Sequence, residues 1–295
     1  MADPILTPTA AAAEDFIIEL AGPKILLEGP SGSGKTFALG TLVDWAARQE
    51  PPIPVHVIFT ENGLETLLGY WRDKGLPVPK NLRWHVIRTP TLSLETLITG
   101  AKQTGQMTME ALFKSIDPNR SKSNPWQSLL EVFTTMPDDR TKTKHGNIGS
   151  WGPRTVLIND SLSETANACM RMVTGSKTSA SQPEFGVAQG NLINWIRFMT
   201  QTFQGTFVMT AHVQRQTNEI TGITQLMTKA IGKALADDIP PLFSETIYTV
   251  REGTNWYWET NAANVDTKTR YLPIASKIRP DFAQIMDKWL ERSKV

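Results

Sequence analysis

Residues 29–36 read Gly29-Pro30-Ser31-Gly32-Ser33-Gly34-Lys35-Thr36, a complete G-x-x-x-x-G-K-[ST] pattern. Its flanks make the pattern decisive. Ile25-Leu26-Leu27 leads in as a short apolar run, and an apolar-periodic stretch from Phe37 to Trp45 leads out. Strand, glycine loop and helix in that order form the setting in which such an octet cradles phosphate. The glycines and small serines let successive backbone N–H groups curl around an anion, and the helix N-terminus adds its positive dipole end. Gly29, Pro30, Ser31, Gly32, Ser33 and Gly34 are the expected cradle. Lys35 is expected to reach the β- and γ-phosphates, and Thr36 to hold Mg²⁺ through its hydroxyl. A nucleoside triphosphate is the implied ligand, with ATP and Mg²⁺ the expected pair.

Outward from the loop, apolar runs alternate with helical periodicities. Residues 55–60, 82–87, 155–159 and 206–210 read as strands, and 36–47, 93–99, 162–173 and 190–202 as helices. Val156-Leu157-Ile158 suits a strand buried on both faces. The alternation implies a mostly parallel sheet with right-handed crossovers, a three-layer α/β fold. After about residue 243 the pattern turns antiparallel. Strands are expected at 245–251, 256–260 and 270–274, then a helix carrying Phe282, Ile285, Met286, Trp289 and Leu290 on one face. The implied organisation is a lead-in over 1–21, a core over 22–243, and a C-terminal β-extension and helix over 244–295 packed on the core. Within the core, residues 104–153 read as an insertion with mobile loops around a short helix at 126–133. Residues 175–183 and 214–233 read as further loops.

Bulk properties bound the partners. The net charge of +1 argues against a whole-surface basic coat, so any nucleic-acid contact must come from local patches or assembly. Cys169 is the single cysteine, which excludes a disulfide framework and fits a reducing, cytoplasmic setting. No apolar stretch approaches a membrane span.

Three strand ends carry polar groups toward the same edge as the loop. Run 155–159 is followed by Asp160-Ser161, where a carboxylate would share the Mg²⁺ with Thr36. The plainer reading is a helix cap, a role Ser161 would fill while Asp160 serves the metal. Packaging motors and AAA+ machines place a glutamate directly after that aspartate. Here the position is Ser161, so the water-activating base must come from elsewhere. Glu61, following run 55–60, is the natural choice, against a helix-initiating Glu61-Asn62-Gly63 turn. His212 ends the run Met209-Thr210-Ala211 and would sense the γ-phosphate, unless it is an ordinary structural histidine. The expected catalytic set is Lys35, Glu61, Asp160 and His212.

Gly29–Thr36, Thr60-Glu61-Asn62, Ile158-Asn159-Asp160-Ser161 and Thr210-Ala211-His212, in this order, resemble the RecA-like ATPase core. The closest resemblance is to phage-encoded RecA-core ATPases that include single-strand annealing proteins. Lys268-Thr269-Arg270 followed by Leu272-Pro273 is similar as well. The resemblance implies a single-stranded DNA partner, a homo-oligomer and an ATP site closed by the neighbouring subunit. Lys177, Arg215, Lys229 and Lys233 would then face DNA, and Lys268, Arg270, Lys277 or Arg279 would reach across as a charge-stabilising finger. For each of these the alternative is a solvated surface charge. Two rival functions stay open: an ATP-gated assembly module without nucleic acid, and a P-loop kinase. The kinase reading lacks an Arg-rich lid after residues 155–160.

Overall fold

The computed structural model describes residues 20–87, 124–175, 180–217 and 224–293, with Leu94, Glu95, Ile98, Lys102 and Gly222 besides. The chain enters through β1 (Lys24–Glu28), whose five residues are all buried, and turns at once into the glycine loop and α1 (Lys35–Ala47). β2 (Val55–Phe59), α2 (Leu64–Arg72) and β3 (Leu82–Val86) follow. Next come α3 (Pro125–Thr135), the two-residue strands β4 (Pro137–Asp138) and β5 (Thr143–Lys144), and β6 (Val156–Asp160). The second half runs α4 (Leu162–Thr174), α5 (Gln182–Arg197), β7 (Thr206–Ala211), β8 (Val213–Thr217), β9 (Thr224–Thr228) and α6 (Gly232–Asp238). It closes with β10 (Glu245–Glu252), β11 (Asn255–Glu259) and α7 (Ala283–Arg292).

Seven strands form one sheet in the order β11-β10-β1-β7-β6-β2-β3, parallel throughout except at the β10–β11 pair. Strand alternation divides the core between its faces. Ile25, Leu27, Val57, Phe59, Ile158 and Val208 point to the side covered by α1, α2 and α7. Leu26, Ile58, Leu157, Phe207 and Met209 point to the side covered by α3, α4 and α5. This is the three-layer α/β architecture expected from the alternating runs.

Several expectations change in detail. Antiparallel pairing begins one strand later than the pattern suggested. β10 joins β1 in parallel, Leu26 opposite Thr246, and only β11 reverses. Residues 270–274 form no strand; the segment is tied instead by single bridges, Lys268 to Thr246 and Ile278 to Trp258. The loop expected over 214–233 is in its described part the hairpin β8–β9 and the start of α6. α5 starts eight residues earlier than its apolar period, because Ser181 begins the helix and its N–H bonds the Glu184 carboxylate at 2.8 Å. The insertion contains the expected helix as α3, followed by a β4–β5 hairpin docked on β3. Its residues 104–123, most of the helix expected at 93–99, and the lead-in to residue 19 lie outside the described residues.

Candidate nucleotide site

Parallel pairing puts the C-terminal ends of β1, β2, β6 and β7 on one edge, the edge on which ligands of open α/β sheets sit. The glycine loop leaves β1 there. Gly32 and Gly34 take left-handed conformations, φ 75° and 83°. Gly34 is required twice over, by its φ and because a Cβ would meet the Trp256 ring at 2.8 Å. Lys35 is buried, and its ammonium donates to the Gly29 and Pro30 carbonyls at 2.8 Å each. The loop is thus closed on its own lysine. Burial lowers the Lys35 pKa to about 8, opposed by the carboxylates of Asp160, Glu61 and Glu28.

Asp160 ends β6 with 4% of its surface exposed. Thr36 Oγ1 donates to its Oδ2 at 3.0 Å, and Thr210 Oγ1 donates to its Oδ1. Burial raises its carboxyl above the ordinary range while the two hydroxyls and Lys35 pull it back. Gly63 permits this approach, since a Cβ there would collide with the Asp160 carboxylate and the Phe59 ring. Backbone ties hold the two strand tips together: Thr60 N donates to Asp160 O at 2.8 Å, and Ser161 N to Thr60 Oγ1 at 2.9 Å.

Glu61 sits two residues beyond the end of β2, half-buried. Ser161 Oγ donates to its Oε1, and His212 Nε2 lies 3.5 Å from Oε2. The His212 contact keeps its carboxyl below the ordinary value against the opposing effect of burial. Ser161 does occupy the N-cap position of α4, but its hydroxyl serves Glu61 and caps no helix N–H, which corrects the expected capping role.

These groups line one cavity of about 320 Å³, whose walls include Ser31, Thr36, Glu61, Asp160, Thr210 and His212. A second cleft of about 210 Å³ adjoins it through Gly34 and Phe37, with Tyr70, Lys74, Trp256 and Arg279 as further walls. Trp256 stacks on Phe37 with centroids 6.2 Å apart, and its Nε1 donates to Gly32 O at 3.3 Å. The donor set fits a divalent cation with a polyphosphate: two hard oxygens, Thr36 Oγ1 and Asp160 Oδ2, face a glycine loop with open space over Gly32. Among the described residues no group of three or more His, Cys, Asp or Glu would hold a metal by itself. A Mg²⁺ here would therefore share its shell with phosphate oxygens.

The remaining sequence expectations scatter. Arg215 on β8, Lys229 and Lys233 are exposed around the hairpin that follows His212, and Lys177 lies outside the described residues. Lys268 donates to Pro241 O at 3.0 Å, and Arg270 follows it at the opposite end of β10 from the loop. Lys277 pairs with Glu252 at 2.8 Å. Arg279 alone of these four reaches the neighbourhood of the loop, as a wall of the second cleft.

Thr210 and Trp256 were not singled out from the sequence as parts of this site. Thr210 had a signal, a hydroxyl near the end of a buried apolar run. Trp256 had none, because its nearness to Gly34 depends on a sheet pairing more than 200 residues away in sequence.

No protein-family model matches the chain, and no curated protein matches it. Among solved structures the chain is similar to a prototypical ATPase from the type III secretion system of pathogenic bacteria. The identity is 15%, the TM-score 0.38, and the match covers 85% of this chain and 58% of that one. The chain thus spans little more than half the length of the structure it matches.

Proposed function

We propose that this chain is a Mg²⁺-dependent ATPase that works as a homo-oligomer on single-stranded DNA, in recombination or annealing. The observation that carries the hydrolytic part is convergence: Lys35, Thr36, Glu61, Asp160 and His212, from four separate segments, surround one cavity. Lys35 is held by two loop carbonyls and has only to swing from them to a phosphate oxygen. Thr36 and Asp160 are the oxygens that would hold Mg²⁺, whose charge would offset that of the phosphates. Glu61 stays ionised and is fixed by Ser161 and His212, so it is aimed as a general base for water. His212 touches that base and continues directly into β8, so it would report the γ-phosphate to the hairpin. The second cleft, with Phe37, Tyr70 and Trp256 on its walls, would receive the nucleoside.

The DNA part rests on the resemblance and on the exposed Arg215, Lys229 and Lys233 around that hairpin. A reading without nucleic acid, an ATP-gated protein assembly, is favoured by the near-neutral charge of +1. Phosphate release measured with Mg²⁺ and with chelator, with and without single-stranded DNA at low salt, tests both. Mg²⁺-dependent release that DNA accelerates supports the proposal in full. Release that DNA leaves unchanged, with no DNA binding at low salt, removes the DNA partner and leaves the assembly reading. No release under any condition overturns the hydrolytic reading.

A further inference from the structure

Glu28 is a buried acid that the hydrolytic site does not use. It closes β1 directly before Gly29, after Ile25, Leu26 and Leu27, and is 1% exposed. A branched aliphatic side chain would continue the strand there without the cost of desolvating a carboxyl. Burial lifts its pKa to about 7. The groups facing it are the Thr228 hydroxyl, which donates to Oε2 at 2.7 Å, and the charges or phenol of Asp266, Lys35 and Tyr248.

Thr228 is the last residue of β9. The β8–β9 hairpin forms its own two-stranded sheet, separate from the central one. A two-stranded hairpin is marginal by itself in water, so its pose depends on what holds its root. The root is held at both legs. His212, directly before β8, contacts Glu61, and Thr228 bonds Glu28. Lys229 N donates to His212 O at 2.8 Å and joins the legs, while Leu226 N donates to Asn264 O at 2.7 Å. Each leg therefore ends on an acid at the loop edge of the sheet.

We propose that Glu28 is a positioning residue that, through Thr228, clasps the second leg of the β8–β9 hairpin to the phosphate-loop strand, linking the hairpin's pose to the state of the loop. The link to loop occupancy rests on the nucleotide reading above; the clasp does not. Lys35 is bonded to the carbonyl of Gly29, the residue next to Glu28. Its departure toward a phosphate would change both the backbone tie and the charge beside the clasp.

Hydrogen–deuterium exchange of the full chain, read by mass spectrometry, tests this with Thr228→Val, Thr228→Ser and Glu28→Gln. Each is measured alone and with Mg²⁺ plus a non-hydrolysable ATP analogue. Thr228→Val should speed exchange over 213–217 and 224–228 by about tenfold, the size of one lost hydrogen bond, with β1, β6 and β7 unchanged. Thr228→Ser and Glu28→Gln keep a donor and an acceptor and should leave hairpin exchange no faster than in the wild type. The analogue should slow hairpin exchange in the wild type and not in Thr228→Val, with its affinity for the two within about threefold. Unchanged hairpin exchange in Thr228→Val, or an equal rise throughout the sheet, overturns the clasp. Should the analogue not bind the wild type, the nucleotide reading fails while the analogue-free arm still decides the clasp.

Discussion

The two ends of β1 each bury charge, and they use it differently. At the N-terminal end Lys24 donates to the carbonyls of Phe203 and Gly205, and burial lowers its pKa to about 7. Beside it, Glu245 of β10 accepts from Arg270 N at 2.6 Å, Tyr271 N at 3.2 Å and Thr269 Oγ1 at 2.8 Å. Those charges are saturated largely by backbone groups of loops that have no regular structure of their own. At the C-terminal end Asp160 and Glu61 are paired with hydroxyls and a histidine, and their oxygens face a cavity. Charge that completes a backbone hydrogen-bond set holds the fold; charge paired with side chains around open space keeps lone pairs for a ligand.

The sharpest way to break that contrast is Glu61→Gln. It keeps the size and an acceptor for Ser161 but removes the proposed base, and kcat should fall by about 10²–10⁴ with nucleotide affinity retained. Steady-state phosphate release beside equilibrium nucleotide binding checks it, and an unchanged kcat removes Glu61 from the chemistry. Next in size is the pH response of Glu28→Gln. The folded pKa of Glu28, about 7, is above its ordinary value, so its share of stability is present below about pH 4.5 and lost as pH rises through 7. The variant should match the wild type near pH 4.5 and exceed it at pH 9 by up to about 3 kcal/mol, read as urea midpoints. Glu245→Ala probes the opposite end. It strands two backbone N–H groups and should lower stability by about 1–3 kcal/mol while turnover per folded molecule stays put. A loss of turnover without a loss of stability would erase the distinction between the two ends. The smallest effect expected is that of Trp256→Ala, a weakening of nucleotide affinity worth about 0.5–1.5 kcal/mol in a binding titration.

The polar cluster at the loop edge was legible where a polar residue ends an apolar run, because strand ends converge whenever the sheet is parallel. Asp160, Glu61 and His212 were found that way, and the octet at 29–36 located the edge. What stayed hidden depended on pairing between distant segments. β10 aligns with β1 across some 220 residues, so neither its parallel sense nor the approach of Trp256 to Gly34 left a local trace. The hairpin β8–β9 was read as a loop because Gln214, Arg215, Gln216 and Thr217 carry no apolar alternation. Only Met227 and Thr228 of its strands are buried, and it is held at the root. Glu28 escaped notice because an acid at a strand end beside a glycine loop reads as part of the turn, and only burial distinguishes it.

The rims of the central sheet carry a last consequence. On the β3 side, Asp139 N donates to Trp84 O at 2.7 Å and the Asp139 carboxylate accepts from Val86 N at 2.9 Å. On the β11 side, Trp258 and Ile278 exchange both backbone bonds, at 2.8 and 2.9 Å, and Thr260 N donates to Ala275 O at 3.0 Å. Both outer strands have already given backbone groups to their own chain. Growth by strand addition, the usual hazard of an open sheet, is obstructed at either rim. Copies of this molecule that meet at either of these two rims would therefore have to recognise one another through side chains and shape, a route on which single substitutions can set which faces join.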